Sequence, residues 1–120
     1  MEYNRLHPLQ TMVGLRVNKI WQDQEGESLL IDFDGAGLVV YCVYSFEPLQ
    51  VDLEDLVGQT VKELEESEFK YTITFTNGSK LQLEPISDKF IFAPEALIYH
   101  NNSFDPPLEV VVDKIEQDTR

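Results

Sequence analysis

The chain has 120 residues, 42% hydrophobic and 26% charged, with seven Phe, five Tyr and one Trp. That is enough apolar volume for one folded core and the wrong balance for a disordered chain. Nine Lys and Arg face 22 Asp and Glu, a formal net charge of −13, and a field of that sign repels phosphate backbones, so no nucleic-acid partner is expected.

The N-terminus, Met1-Glu2-Tyr3-Asn4-Arg5, has no apolar signal region behind it. No apolar run approaches the length needed to cross a bilayer. The expectation is a cytoplasmic protein with no membrane partner. The acidity is spread evenly: residues 1–60 carry three basic and ten acidic residues, and residues 61–120 carry six and twelve.

In chain order, the first predicted elements are strands at Gly14–Ile20, Leu29–Phe33 and Leu38–Val40, with Asp34-Gly35-Ala36-Gly37 as the turn between the last two. The stretch Leu38 to Tyr44 is apolar at every position. Read as one strand, it points Leu38, Val40, Cys42 and Tyr44 inward and Val39, Tyr41 and Val43 outward. A strand apolar on both faces must be covered twice, by the chain itself or by another chain. This makes the strand 38–44 a candidate homodimer surface and Tyr41 a natural anchor. Cys42 is the only cysteine, which excludes an internal disulfide framework, and its apolar neighbours predict a buried, inert thiol.

The segment Asp52–Leu64 reads in two ways. Leu53, Leu56, Val57, Val61 and Leu64 fit one face of a helix capped by Asp52, with Gly58 inside it at a cost of about 1 kcal/mol. The alternative is a short helical turn from Asp52 to Leu56 and a strand from about Gln59. The second reading is favoured because the chain repeats itself. Gly14, Val17 and Ile20 recur 44 residues later as Gly58, Val61 and Leu64. Ile31 and Phe33 recur as Ile73 and Phe75, and Leu38 and Val40 as Leu81 and Leu83.

In the second copy, Tyr71, Ile73 and Phe75 alternate with threonines, Asn77-Gly78 marks a tight hairpin, and Leu81 and Leu83 alternate with Lys80, Gln82 and Glu84. The apolar anchors that open each copy are three apart. A plain strand would send them to opposite faces, so a β-bulge is expected in both.

Beyond Ile86, the segments Phe90–Phe92, Leu97–Tyr99 and Leu108–Val112 are strand-like, punctuated by Pro94 and Pro106-Pro107. Residues 1–120 are thus expected to form a single domain. Its parts are repeat unit one at about 12–44, unit two at about 56–85 and C-terminal strands at about 86–113. The fold class is mainly β, with β-rich α+β as the alternative: two antiparallel three-strand meanders packed as a sandwich or partly open barrel, with a short helical turn near 52–57.

No pattern points to catalysis, a cofactor or a metal. Asp32-Phe33-Asp34-Gly35 starts like a calcium loop, but no ligands follow at the required spacing. His7 and His100 are the only imidazoles, and neither sits in a metal-binding spacing. Ser45, Ser79 and Ser103 lack a nucleophile signature. Asn77-Gly78-Ser79 and Asn101-Asn102-Ser103 read as turns. What stands out is the acidic cluster Glu63, Glu65, Glu66 and Glu68, with Asp52, Glu54 and Asp55 just before it. Together with Tyr41 and Trp21 as aromatic anchors, these are the candidate partner-binding residues.

The phrase Leu-Val-Gly-x-x-Val at Leu56–Val61, then Phe75-x-Asn77-Gly78-x-x-Leu81, and Ala93-Pro94-Glu95-Ala96-Leu97 resemble patterns in small uncharacterised bacterial β-rich proteins. Some of these look like immunity proteins of polymorphic or contact-dependent toxin systems. The resemblance implies an acidic antagonist that binds and neutralises a basic toxin domain, with no enzymatic activity of its own. The other expectation is a non-enzymatic ligand-binding or homodimeric assembly module.

Overall fold

A computed structural model describes residues 8–23, 28–67, 69–85 and 95–115. Their alternating apolar positions build nine strands: β1 Val17–Gln22, β2 Leu29–Phe33, β3 Ala36–Val40, β4 Val43–Glu47, β5 Val61–Glu66, β6 Tyr71–Phe75, β7 Lys80–Glu84, β8 Glu95–Asn101 and β9 Leu108–Asp113. They form two open antiparallel sheets, ordered β1-β2-β3-β8-β9 and β4-β7-β6-β5. The sheets share a single core into which Phe33, Leu38 and Tyr99 project from one side and Ile73, Phe75 and Leu83 from the other. Phe75 is fully buried, and truncating such a side chain to Ala costs about 3–5 kcal/mol.

The mainly β expectation holds, and the arrangement is an open sandwich rather than a barrel. Residues 53–56 form a 3-10 turn, not the start of a longer helix. Asp52 caps it by accepting a hydrogen bond from the Glu54 amide at 3.2 Å. Gly58 follows at φ +90°, a conformation that a helix interior does not contain. A second 3-10 turn, Pro8–Met12, buries Leu9 and Met12 and packs against both β5 and β9. The Gln10 side chain pins it to β5, donating to the Leu64 carbonyl and the Glu66 carboxylate, each at 2.9 Å. Thr11 Oγ1 and the Tyr99 hydroxyl lie 3.0 Å apart.

The repeat is visible in three dimensions. The β1–β2 register slips between Val17 and Lys19, and the β5–β6 register slips between Val61 and Glu63. Each copy therefore has its bulge at the same place, which returns Ile20 and Leu64 to the core. The two bulged strands meet at a pseudo-two-fold corner. Gly14 donates to the Val61 carbonyl and Gly58 to the Val17 carbonyl, both at 2.8 Å. Val17 donates to Gln59 at 2.8 Å and Val61 to Leu15 at 2.9 Å. Arg16 and Thr60, which correspond to each other, form the bridge between them.

One sequence expectation needs correction. The stretch 38–44 is not one strand covered on both faces. After Val40 the chain leaves the first sheet, Cys42 is buried in the crossing, and β4 joins the second sheet beside β7. Leu38 and Val40 face the core from one sheet, and Tyr44 and Phe46 approach it from the other. Both expected three-strand meanders, β1-β2-β3 and β5-β6-β7, are present, and each is extended by a further strand from the other unit. Unit one sends β4 to unit two's sheet, and unit two sends β8 to unit one's sheet beside β3. The halves are interlocked by exchange of their fourth strands.

The turns differ in detail from expectation. Phe33 pairs with Ala36, so Asp34-Gly35 alone makes the first turn, and Ala36 and Gly37 already belong to β3. In the second, Gly78 has φ +93° while Asn77 stays at negative φ. The Asn77 side chain instead accepts from the Ser79 amide at 2.9 Å. Asn101 does the same for Ser103 at 2.9 Å and donates to the Tyr99 hydroxyl at 2.9 Å. Both triplets are turns, as expected, and the first asparagine of each makes a turn bond. Phe90–Phe92 lies outside the described residues.

Candidate functional site

The outer faces of the two sheets are chemically different. On the four-stranded sheet, strand pairing sets Glu65 beside Thr72, Gln82 and Ser45, and Glu63 beside Thr74, Lys80 and Glu47. That face is polar apart from Val43 on β4, which is 41% exposed, and Gln82 donates to the Glu47 carboxylate at 3.1 Å.

On the five-stranded sheet the same accounting gives an apolar row. Trp21 pairs with Leu30, Leu30 with Val39, Val39 with Ile98, and Ile98 with Val111. One apolar side chain from every strand lies in line across the sheet. At the usual strand spacing the row is about 19 Å long. It is most open at its ends, where Trp21 is 37% and Val111 49% exposed, and half-buried at Leu30, Val39 and Ile98. Tyr41, half-buried, continues the outward alternation of Gly37 and Val39, and its amide donates to the Ala96 carbonyl at 2.8 Å.

Charges flank the row. On one side the pairing runs Lys19, Asp32, Gly37, His100 and Glu109; on the other lie Asp113 and its partner Glu95. The Lys19 ammonium sits 4.7 Å from the centre of the Trp21 ring, a cation–π contact that holds the indole against the sheet. The His100 ring covers Gly37, where an added Cβ would come within 2.6 Å of the imidazole Cε1. Glycine at this one position lets the imidazole lie flat across β3.

The nine candidate residues divide between these surfaces. Trp21 and Tyr41 share the apolar face. Glu63 and Glu65 stand exposed on the polar face, and Glu66 turns inward to accept from Gln10. Glu68 is outside the described residues. Asp52, Glu54 and Asp55 are exposed on the 3-10 turn, which packs against β1. They stand on a different element from the β5 acids, with Val57 to Thr60 between the two. Glu65, Glu66, Ser67, Lys70 and Thr72 line an open depression of about 590 Å³ at the β5–β6 turn. It is a wide surface hollow that carries both signs of charge.

Sequence reasoning missed Leu30, Ile98 and Val111. The signal was available: Leu29-Leu30-Ile31, Leu38-Val39-Val40, Leu97-Ile98-Tyr99 and Val110-Val111-Val112 are all apolar triplets within strands. A one-faced strand needs only the alternate positions of each triplet.

In the interior, the space bounded by Leu9, Met12, Leu38, Leu64, Tyr71, Ile73, Leu83 and Leu97 is about 10 Å³, at the lower limit for a single water. Burial pushes the Cys42 thiol up to about 11, with Lys114 and backbone hydrogen bonds opposing it weakly. Burial also raises the Tyr71 hydroxyl, assisted by the nearby Glu66 carboxylate. Neither group is poised for chemistry near neutral pH. Among the described residues, no three His, Cys, Asp or Glu side chains gather as a metal site, and no helix is long and apolar enough to cross a membrane. No protein-family model, curated protein or solved structure matches the chain significantly, so its role has to be argued from the chemistry of its own surface.

Proposed function

We propose that this protein is an acidic binding module that recognises a basic protein partner, in the manner of an immunity protein neutralising a toxin domain, through the outer face of its five-stranded sheet. The observation that carries the reading is the apolar row from Trp21 to Val111. An exposed sheet face normally alternates to polar residues, and an apolar line rimmed by carboxylates has the composition of an interface core and its rim. The net charge of −13 favours rapid encounter with a basic surface. Trp21 and Tyr41 supply the kind of side chain that dominates binding energy.

A homodimer through residues 38–44 is the second reading. Strand β3 is paired on both sides, by β2 and β8, so such a dimer would use the side-chain face of Val39 and Tyr41 rather than a strand edge. Two surfaces of the same negative sign would then face each other, which weighs against it.

The test is affinity capture from the source lysate at low and high ionic strength, with wild type and a Trp21→Ala/Tyr41→Ala variant run in parallel. One basic protein, captured stoichiometrically, loading more slowly at high salt and lost in the double variant, is the expected result. Equal capture by the double variant would remove this face from the reading. Dimerisation by light scattering without a heterologous partner would transfer support to the homodimer.

A further inference from the structure

We infer that β9 is the docking edge of the five-stranded sheet, and that it accepts an extended partner segment with the alternation basic–x–apolar–x–basic as a sixth, antiparallel strand. This rests on the partner-binding reading and specifies its mode. The backbone accounting comes first. The Asn102 amide donates to the Gly35 carbonyl at 2.9 Å and the Tyr41 amide to the Ala96 carbonyl at 2.8 Å. These bonds bracket the β3–β8 ladder and fix its parity, so Ile98 and His100 direct their backbone groups toward β3. Leu97, Tyr99 and Asn101 direct theirs toward β9, opposite Val112, Val110 and Leu108. In an antiparallel ladder the intervening residues point the other way. The N–H and C=O groups of Glu109 and Val111 therefore face outward, away from the sheet. Among the described residues no backbone bond outside the ladders reaches them.

Side chains give the edge its chemistry. The core-facing Leu108, Val110 and Val112 are only partly buried, whereas Leu97 and Tyr99 on the adjoining strand are 1% and 0% exposed. An added strand would complete that burial. On the outer face β9 presents Glu109, Val111 and Asp113, all exposed. A partner strand with a central apolar residue continues the row that ends at Val111, and basic residues two positions to either side meet the two carboxylates.

Two of the other three edges are less suitable. Strands β1 and β5 are joined to each other at the glycine corner, and Gln10 occupies the Leu64 carbonyl on β5. A second copy of this chain fits poorly at β9. A fully overlapped two-fold pairing centred on Val111 would set Glu109 against the Asp113 of the second copy at both ends, and like charges directly opposite destabilise a pair.

The probe is the blocked peptide Thr-Lys-Thr-Val-Thr-Lys-Thr, titrated into the full chain and followed by backbone amide NMR. The expected result is shifted and exchange-protected amides at Glu109 and Val111. A peptide with Glu in place of both Lys should not bind. Val111→Pro removes an outward amide that the β8 ladder does not use and is tolerated at such a position. It should weaken binding about tenfold or more, while Val111→Thr should stay within about twofold. Absence of binding by the Lys peptide, or undiminished binding by a folded Val111→Pro variant, overturns strand addition. If Val111→Pro still captures a basic protein that the Trp21→Ala/Tyr41→Ala variant loses, the partner-binding reading stands and only this docking mode fails.

Discussion

The Gly14 amide is bonded to the Val61 carbonyl at 2.8 Å, and the corresponding bond from Gly58 to Val17 has the same length. Both glycines sit at positive φ, +96° and +90°, and neither has an atom within 4 Å of where a Cβ would stand. The strain of any side chain there comes from the backbone alone. Gly14→Ala and Gly58→Ala should each cost about 1–2 kcal/mol. Urea unfolding of the two variants should give matching losses. A large inequality would mean that the corner is symmetric in geometry but not in energy.

Gly37→Ala should displace the His100 ring, because the new Cβ cannot coexist with an imidazole atom at 2.6 Å. The ring is the mobile end of an exposed side chain, so the expected cost is about 1 kcal/mol or less. In a His100→Ala background the same substitution should become neutral or stabilising. Thermal melts of the four proteins in the cycle measure the coupling directly.

Cys42 makes stability fall on the alkaline side. Its thiol, ordinarily at 9.0, is raised to about 11 in the folded protein. Between these values the unfolded chain has lost the proton that the folded chain keeps, so unfolding becomes easier as pH rises. Below 9 the contribution is complete; across the window it declines by at most about 2–3 kcal/mol. The raised Tyr71 hydroxyl acts with the same sign from pH 10 upward. Cys42→Val should flatten part of the decline in denaturant melts between pH 8 and 11. Labelling of the buried wild-type thiol should require opening of the fold.

Steering should depend on the acids that rim the apolar row. Glu109→Gln/Asp113→Asn is expected to slow association with a basic partner several-fold at low salt, with the difference shrinking as ionic strength rises. Glu63→Gln/Glu65→Gln, on the opposite polar face, should have the smaller effect. Stopped-flow rates at two salt concentrations compare the pairs, and a reversed order would assign steering to β5.

Much of the fold was legible because its signals are local. Period-two alternation in Tyr71–Phe75 and Lys80–Glu84, the glycines at 35 and 78, the Asp52 cap and the three-residue spacing that demands a bulge each act within a few residues. The exchange of β4 and β8 was not legible. Nothing between Val40 and Val43 distinguishes a strand that continues from one that changes sheets; only the pairing of β4 with β7 does. The apolar row was half legible for the same reason. Val39 and Tyr41 stood out within one stretch of chain, but their alignment with Trp21, Leu30, Ile98 and Val111 depends on four separate strand registers.

The exchanged fourth strands carry a consequence for the origin and dissection of the molecule. Neither unit is a complete domain, since each lends the other the strand that pairs with the last strand of its meander. A chain holding one unit could reach this core only in a pair, as a closed two-fold dimer. Cleavage at the exposed turn around Leu49 should therefore yield two fragments that fold on meeting and not before, one polypeptide recovering the dependence of two subunits.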